Sequence, residues 1–412
     1  MRDHLLGTTH RKDALRGELW DRLRGQLYAR PAETSPAPRP AFRTVATAGP
    51  DLEATPSLSS LLRHALGILR WEPLNPNAEH RAHASPGSRF TVDAMLSVRG
   101  AGETVTYRYM PRDHALVRVL DRQRPVSEGS VAITLSCDLA RCATPYGELA
   151  YCLGVLELGS VLAQLALVAG SLGLPLDRVI LDGEGPRVTA MLGAPEIAIW
   201  LRDAADHPRT VLTQDYPPLA LGEMPLLAAT LRTHFPAMTV EHLTACWPAN
   251  APCTLFDATR RRSSGLRLDG GASATPDSTR LARWRDLATA TVESFAGLER
   301  HSVCVDILMP PDAQARAWGY AAPPGAAVVT LSADLDHYLR RFGDGAVFHM
   351  HLAVGIASQA IALASAAMGF ACRPMRSFDH AAADAMLPIE HWSVLQLVVW
   401  QDAAVNPGFA TA

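Results

Sequence analysis

Apolar residues gather in two long runs, 158–176 and 352–372, each close to the ~20 residues a membrane-spanning helix needs. Both runs are rich in Ala, Gly and Ser, each holds one glutamine (Gln164, Gln359), and no aromatic belt flanks either. That pattern predicts helices buried on all sides inside a large core rather than spans. Residues 131–135 form a β-branched run, 103–109 alternate like a half-exposed strand, and 392–400 form an apolar strand near the end. The mixture predicts an α+β fold, a sheet covered by helices.

The pattern occurs twice. Val131-Ala-Ile-Thr-Leu-Ser-Cys-Asp-Leu aligns with Ala327-Val-Val-Thr-Leu-Ser-Ala-Asp-Leu at an offset of 196, with five of nine positions identical. The same offset, without a gap, pairs Tyr146-Gly147 with Phe342-Gly343, Gly159 with Gly355, and Gly173 with Gly369. A period that long excludes a solenoid and predicts a duplicated domain of about 200 residues. Prolines at 31, 36, 38 and 40 mark a linker after a helical head in which Trp20, Leu23 and Leu27 form a short stripe. A second proline cluster, 208 to 236, marks the inter-domain connection. The expected division is therefore 1–40 (head and linker), 41–225 (first domain) and 226–412 (second domain).

Composition narrows the function. The chain has 412 residues, a net charge of -3 and 19% charged residues, so no basic surplus exists for nucleic acid. Lys12 is the single lysine. A Walker loop, a Schiff-base lysine and a kinase-type strand lysine are excluded, because each needs a lysine within its own motif. Seven scattered cysteines without a C-x-x-C pair indicate neither a zinc ribbon nor a disulfide framework. The N-terminus lacks the apolar stretch of a signal peptide, and the expected compartment is the cytoplasm.

Arg260-Arg261-Arg262-Ser263-Ser264 is the densest cationic run. Adjacent guanidinium groups and a hydroxyl suit a phosphate monoester, although a loop with its arginines in water has the same composition. His349-Met-His351 would put two imidazoles on one face of a strand, yet no carboxylate or cysteine is near in sequence, so no metal site is expected. Gly183 and Gly185 lack the third glycine of a dinucleotide fingerprint, and no G-x-S-x-G or H-E-x-x-H occurs.

Taken together, these segments resemble the nitroreductase-fold flavoproteins, and more narrowly the tandem form of SagB/ThcOx-type dehydrogenases, some of which oxidise azolines in peptide natural-product pathways. The resemblance rests on Ser85-Pro-Gly-Ser-Arg-Phe90, Thr106-Tyr-Arg-Tyr-Met-Pro-Arg-Asp-His-Ala-Leu116, Tyr146-Gly147 with Tyr151 and Glu157-Leu-Gly159, Arg261-Arg262-Ser263, and Gly355 with Gln359. It covers roughly residues 55 to 402. It implies two fused nitroreductase-like domains forming an intramolecular pseudo-dimer, with FMN between them. By resemblance, Arg261, Arg262 and Ser263 would hold the phosphate and ribityl chain, with Arg376 or Arg373 nearby and Gln359 in the core helix. The loop Ser85, Pro86, Gly87, Ser88 and Arg89 would lie against the flavin from the other copy. The first copy has only Arg43 where its own arginine run would fall, which implies one competent site per chain.

The resemblance implies an FMN-dependent oxidoreductase acting on a peptide or carrier-bound intermediate in natural-product biosynthesis. Azoline dehydrogenases carry a Lys-Tyr pair where this chain has Pro145-Tyr146. Tyr146 is thus a candidate acid/base, equally readable as a core tyrosine, and azoline oxidation by the usual route is in doubt. Two alternatives remain open: a non-catalytic, duplicated partner in a modifying complex, and an NAD(P)H-dependent small-molecule nitro- or quinone reductase.

Overall fold

The computed structural model describes residues 41–72, 77–99, 104–119, 129–183, 185–215, 231, 234–265, 273–274, 277–295, 303–308, 322–323, 325–388, 391–402 and 409–410. The expected helical head and proline linker, 1–40, lie outside the described residues.

The first half begins with β1 (Ala41–Gly49), helix α1 (Pro56–Leu66) and two short strands, β2 (Arg70–Trp71) and β3 (Glu79–His80). An antiparallel run follows: β4 (Val92–Arg99), β5 (Thr104–Met110), β6 (Ala115–Val119) and β7 (Val131–Cys137). Then come α2 (Ala140–Tyr146), the long helix α3 (Ala150–Ser171), β8 (Leu176–Leu181), β9 (Arg187–Leu192), α4 (Pro195–Asp203) and β10 (His207–Asp215). The second half starts with β11 (Met238–Glu241), α5 (Leu255–Arg261), β12 (Ser273–Ala274), α6 (Ser278–Glu293) and β13 (Val303–Leu308). It continues with β14 (Ala327–Asp334), α7 (Leu335–Phe342), the long helix α8 (Ala346–Ala367), β15 (Ala371–Met375) and α9 (His380–Asp384). β16 (His391–Asp402) and β17 (Phe409–Ala410) end it.

The repeat is structural. Helices α3 and α8 begin and end at positions that differ by the same 196. Each follows a short helix and a tight turn. The turn needs a positive φ, supplied by Gly147 (φ 54°, ψ -129°) and Gly343 (φ 52°, ψ -121°), a region that strains any residue with a Cβ. Both long helices start earlier than their apolar runs suggest, because Tyr151 and Glu157 in α3, and His349 and His351 in α8, are buried polar residues within the helices. They are long and apolar enough to cross a membrane, and almost all of both is buried inside the protein.

β7 sits centrally in a seven-stranded antiparallel sheet ordered β11-β8-β9-β7-β4-β5-β6. In the second half, β14 lies between β13 and β16, and β16 also pairs with β15 and β12. The two halves exchange elements. β17, at the end of the chain, pairs with β2 of the first half. β11, likewise, adds to the first sheet through β8. Pro208 lies within β10, opposite Ala48 of β1, rather than in a connecting loop. This two-stranded ribbon has no inner strand to need its N–H.

Helices α3 and α8 pack against each other at the centre. Leu149, Cys152, Leu153 and Leu156 of the first copy enter the second copy's core. Phe348, Leu352, Ile356 and Ala360 of the second copy enter the first core. Burial of this shared apolar surface, at about 25 cal/mol per Å², holds the halves together. All seven cysteines are free.

Candidate functional site

A cavity of about 550 Å³ lies between the two copies, within the 300–1,000 Å³ common for cofactor and ligand sites. The first copy supplies the segment from Asn77 to Phe90 and, from the α2–α3 region, Tyr146, Leu153 and Glu157. The second supplies the turn after α5, two small residues of α8 (Gly355, Ser358) and the end of β15. Asn77, Gly87 and Ser377 are exposed at its rim.

Arg262 forms one end. It is 4% exposed, and no carboxylate pairs with it among the described residues. Its Nε donates to the Arg81 carbonyl (3.3 Å) and its Nη1 to Ser264 Oγ (3.2 Å). Burial, together with the cation of Arg70, lowers its pKa to about 10. A buried guanidinium without a carboxylate partner is a good seat for an anion. The run therefore faces the cavity differently from the expectation. Arg261 closes α5 and is exposed, while the next residue, Arg262, turns inward because the chain leaves the helix there. Ser263 Oγ accepts the Gly265 N–H (3.1 Å) within its own turn, and it is Ser264 that lines the cavity.

Arg70 of the first copy braces this end. It donates to the Arg260 carbonyl and to the Arg262 carbonyl (3.4 Å), and pairs with buried Glu72 (2.6 Å). His80, which lines the cavity, has both ring nitrogens engaged, Nε2 with Glu72 (2.8 Å) and Nδ1 with Arg70 (3.2 Å). Arg373 and Arg376 both line the cavity. Arg373 donates to the Ser264 and Gly265 carbonyls (2.8 and 2.6 Å), and buried Arg376 to the Val394 carbonyl.

The loop Ser85, Pro86, Gly87, Ser88 forms the opposite wall. Gly87, Ser88 and Phe90 all have positive φ, near 50°. A loop with that many left-handed residues persists only where its surroundings over-determine it. Ser85 Oγ accepts the Phe90 N–H (2.7 Å) and donates to Glu157 (2.9 Å). Arg89 caps the turn and lies outside the cavity lining. Tyr146 lines the cavity, and its hydroxyl would be 3.0 Å from a Cβ on Gly87. Burial raises its pKa, and Arg89 partly opposes this.

Glu157 and His83 complete the inner wall. Glu157 accepts hydrogen bonds from Ser85 and Thr91 (2.9 and 2.7 Å), and its other oxygen lies 3.4 Å from His83 Nε2. Burial pushes the Glu157 carboxyl up, but His83, Thr91 and Ser85 together hold it below the usual range. Burial lowers the His83 pKa despite Glu157. Gln359 does not line the cavity. It donates to the Ala82 carbonyl (2.9 Å) and to Gln164 Oε1 (2.8 Å), fixing the backbone beside His83. The sequence contained Glu157 within a motif but assigned it no role, and His83 carried no signal.

The symmetric position is filled. The offset of 196 puts Phe342 and His349 where the cavity has Tyr146 and Leu153. A bulge after Leu176 shifts the register by one, so Arg178 and Leu181 hold the strand positions of Arg373 and Arg376. Phe342 and His349 stack at 4.1 Å, and Phe235 packs on His349 and Phe348 (5.5 and 5.4 Å). Gly183 makes room for the Phe235 backbone, since a Cβ there would lie 1.6 Å from the Phe235 carbonyl oxygen. His349 and His351 lie on a helix, not a strand, so residues two apart point to different sides. No group of three metal-binding side chains occurs among the described residues.

No family model and no curated protein matches the chain. Among solved structures, a candidate nitroreductase from Anabaena variabilis shares 15% identity, covering 90% of this chain and 94% of its own, with a TM-score of 0.62. A nitroreductase with bound FMN from Desulfitobacterium hafniense shares 15% identity over 40% of this chain and 96% of its own, with a TM-score of 0.27. A chain of an Escherichia coli microcin synthetase complex, solved with a truncated pro-peptide, shares 15% over 47% and 72%, with a TM-score of 0.24. The first of these shows the fold: the chain has a nitroreductase-like, mixed α/β architecture.

Proposed function

We propose that the chain is a flavin-dependent oxidoreductase whose two fused nitroreductase-like units form an internal pseudo-dimer with one FMN site. The first unit spans residues 41–225 and the second 226–412. The observation that carries this reading is buried Arg262, without a carboxylate partner among the described residues, at one end of a cavity walled by both copies of a nitroreductase-like fold. These residues fit FMN: a cationic end for the phosphate, leucines for an apolar ring, and small residues, Gly355 and Ser358, where bulk would close the space. When bound, FMN supplies a two-electron acceptor or donor.

The protein's own groups would do the rest. Arg262 and Ser264 hold the phosphate, with Arg373 fixing the Ser264–Gly265 turn around it. Arg376 sets a positive charge beside the inner cavity, where it stabilises developing negative charge. The Ser85–Ser88 loop closes one face, and the Tyr146 hydroxyl stands as a proton donor or acceptor beside Gly87. The exposed rim at Asn77, Gly87 and Ser377 leaves room for a substrate carried on a peptide or carrier protein, as the family resemblance implies. Pro145, where azoline dehydrogenases carry a lysine, favours a different two-electron conversion from azoline oxidation. The same residue favours the second reading, a non-catalytic partner.

One absorption experiment separates the readings. The purified protein is scanned before and after denaturation, and the released chromophore is measured against chain concentration. About one FMN per chain is expected. A colourless protein that also takes up no added FMN would leave the non-catalytic reading in place.

A further inference from the structure

The cavity carries several groups able to take or share a proton, and nearly all are engaged. Glu79 pairs with Arg112 and, at 3.8 Å, with Arg81. His80 uses both ring nitrogens on Glu72 and Arg70. Arg262, Arg373 and Arg376 are donors only. His83 differs. Its side chain is 1% exposed, it lines the cavity, and neither ring nitrogen has a hydrogen-bond partner among the described residues. Nε2 lies 3.4 Å from a Glu157 oxygen, at ion-pair rather than hydrogen-bond geometry, and among the described residues Nδ1 faces no charged group that close. Leaving a buried polar nitrogen unmatched is unfavourable, so its retention calls for a partner that the described residues do not supply.

The surroundings of this ring are built with care. Both carbonyls preceding it are held by the second copy, Arg81 by Arg262 Nε (3.3 Å) and Ala82 by Gln359 Nε2 (2.9 Å). Phe90 meets the ring edge to face at 5.8 Å. Glu157, with a fully buried carboxylate, lies 3.4 Å from Nε2 and is fixed by Ser85 and Thr91. A carboxylate beside Nε2 favours the tautomer with hydrogen on that nitrogen, which leaves Nδ1 with a free lone pair.

We propose that His83, held in one tautomer by Glu157, is the hydrogen-bond acceptor that reads a ring N–H on the molecule in the cavity, the imide N–H of a flavin. Glu157 is then a positioning residue, acting through His83 and through the Ser85 loop. The assignment rests on the FMN reading of the cavity. It makes this wall selective for a heteroaromatic ring that donates rather than accepts at that edge. The charged groups bearing on His83 are Glu157, Arg81 and Arg262; the two cations and the burial oppose its protonation and keep the acceptor available near neutral pH.

The test is nitrogen NMR on protein labelled with ¹⁵N-histidine, before and after addition of FMN at pH 7.5. His83→Asn assigns the resonance among 15 histidines, or through-bond correlation to the backbone does so if that variant fails to fold. The free protein should show His83 protonated on Nε2, and FMN should move the Nδ1 resonance in the direction of an accepted hydrogen bond. Glu157→Gln should blur the tautomer preference and weaken FMN binding roughly tenfold, the scale of one lost hydrogen bond. FMN that binds without moving the His83 resonances, or a free protein protonated on Nδ1, overturns this assignment alone. Failure to bind FMN at all overturns the reading of the cavity, and this assignment with it.

Discussion

Gly159 and Gly355 face each other across the two long helices, and neither has room for a side chain. A Cβ on Gly159 would lie 2.2 Å from the Leu352 carbonyl oxygen, and one on Gly355 would lie 2.2 Å from that of Leu156. The two contacts are the same contact read from either copy, because 352 and 156, like 355 and 159, differ by 196. Both obstacles are backbone, so no rotamer change relieves them. Ser160 fastens the crossing by donating to the Gly355 carbonyl (3.0 Å).

Either glycine changed to alanine should therefore push the helices apart. We expect about 3 kcal/mol of destabilisation or more from each, at the upper end of overpacking effects. Gly355 also lines the cavity, so FMN retention should fall along with the melting temperature. Thermal unfolding with and without FMN checks both. A Gly159→Ala protein as stable as the parent would mean that the helices do not meet this closely.

Arg261 and Arg262 stand side by side in sequence and should behave oppositely. Arg262→Ala removes a buried cation facing the cavity and should weaken FMN binding about 10- to 100-fold, given ~1.5–3 kcal/mol for hydrogen bonds to charged groups. Arg261→Ala removes an exposed side chain and should change it less than threefold. Fluorescence titration with FMN on both variants would measure the contrast, and equal losses would contradict the geometry.

Much of this was legible in the chain. The repeat was visible because matched residues hold one register over the strand, turn and long helix. The two glutamines in apolar helices were a usable signal as well: a buried amide needs a partner, and Gln164 and Gln359 bond to each other. Which arginine and which serine of the cationic run turn inward was not legible, because the helix ends at Arg261 and one residue changes the direction of a side chain. His83 was invisible for a different reason. Its partner Glu157 arrives from a helix beyond four intervening strands, and only the tertiary fold puts them 3.4 Å apart.

Phe235 should mark the closed, symmetric position. Its ring packs on Phe348 and His349, so Phe235→Ala should cost about 3 kcal/mol of stability, as for other buried phenylalanines. The stoichiometry should nevertheless stay at one FMN per chain, because Arg178, at the strand position of Arg373, is paired with Glu241 (3.1 Å), and Leu181 stands at that of Arg376. Released flavin measured per chain decides this. Two FMN per chain in the parent protein would show that the aromatic cluster does not close the second site.

Acid should destabilise the protein, with His351 as one cause. His351 is fully buried on α8, with Nδ1 donating to the Val347 carbonyl (2.8 Å). Burial and the nearby Arg376 cation lower its pKa to about 3. In the unfolded chain a histidine takes up its proton near 6.5. Between pH 6.5 and 3 the unfolded state thus holds a proton that the folded state refuses. The stabilisation is complete above pH 6.5 and is lost as the pH falls through that window, at about 1.4 kcal/mol per pH unit. Between pH 7.5 and 5 this single residue should account for about 2 kcal/mol. His349 and His114, both lowered to about 4 by burial first of all, act in the same direction and steepen the total. Urea unfolding of the parent and of His351→Gln at pH 7.5, 6 and 5 isolates the contribution. The variant's stability should depend on pH less steeply, by close to one proton, whatever its absolute value; equal slopes would show that His351 is not held neutral by the fold.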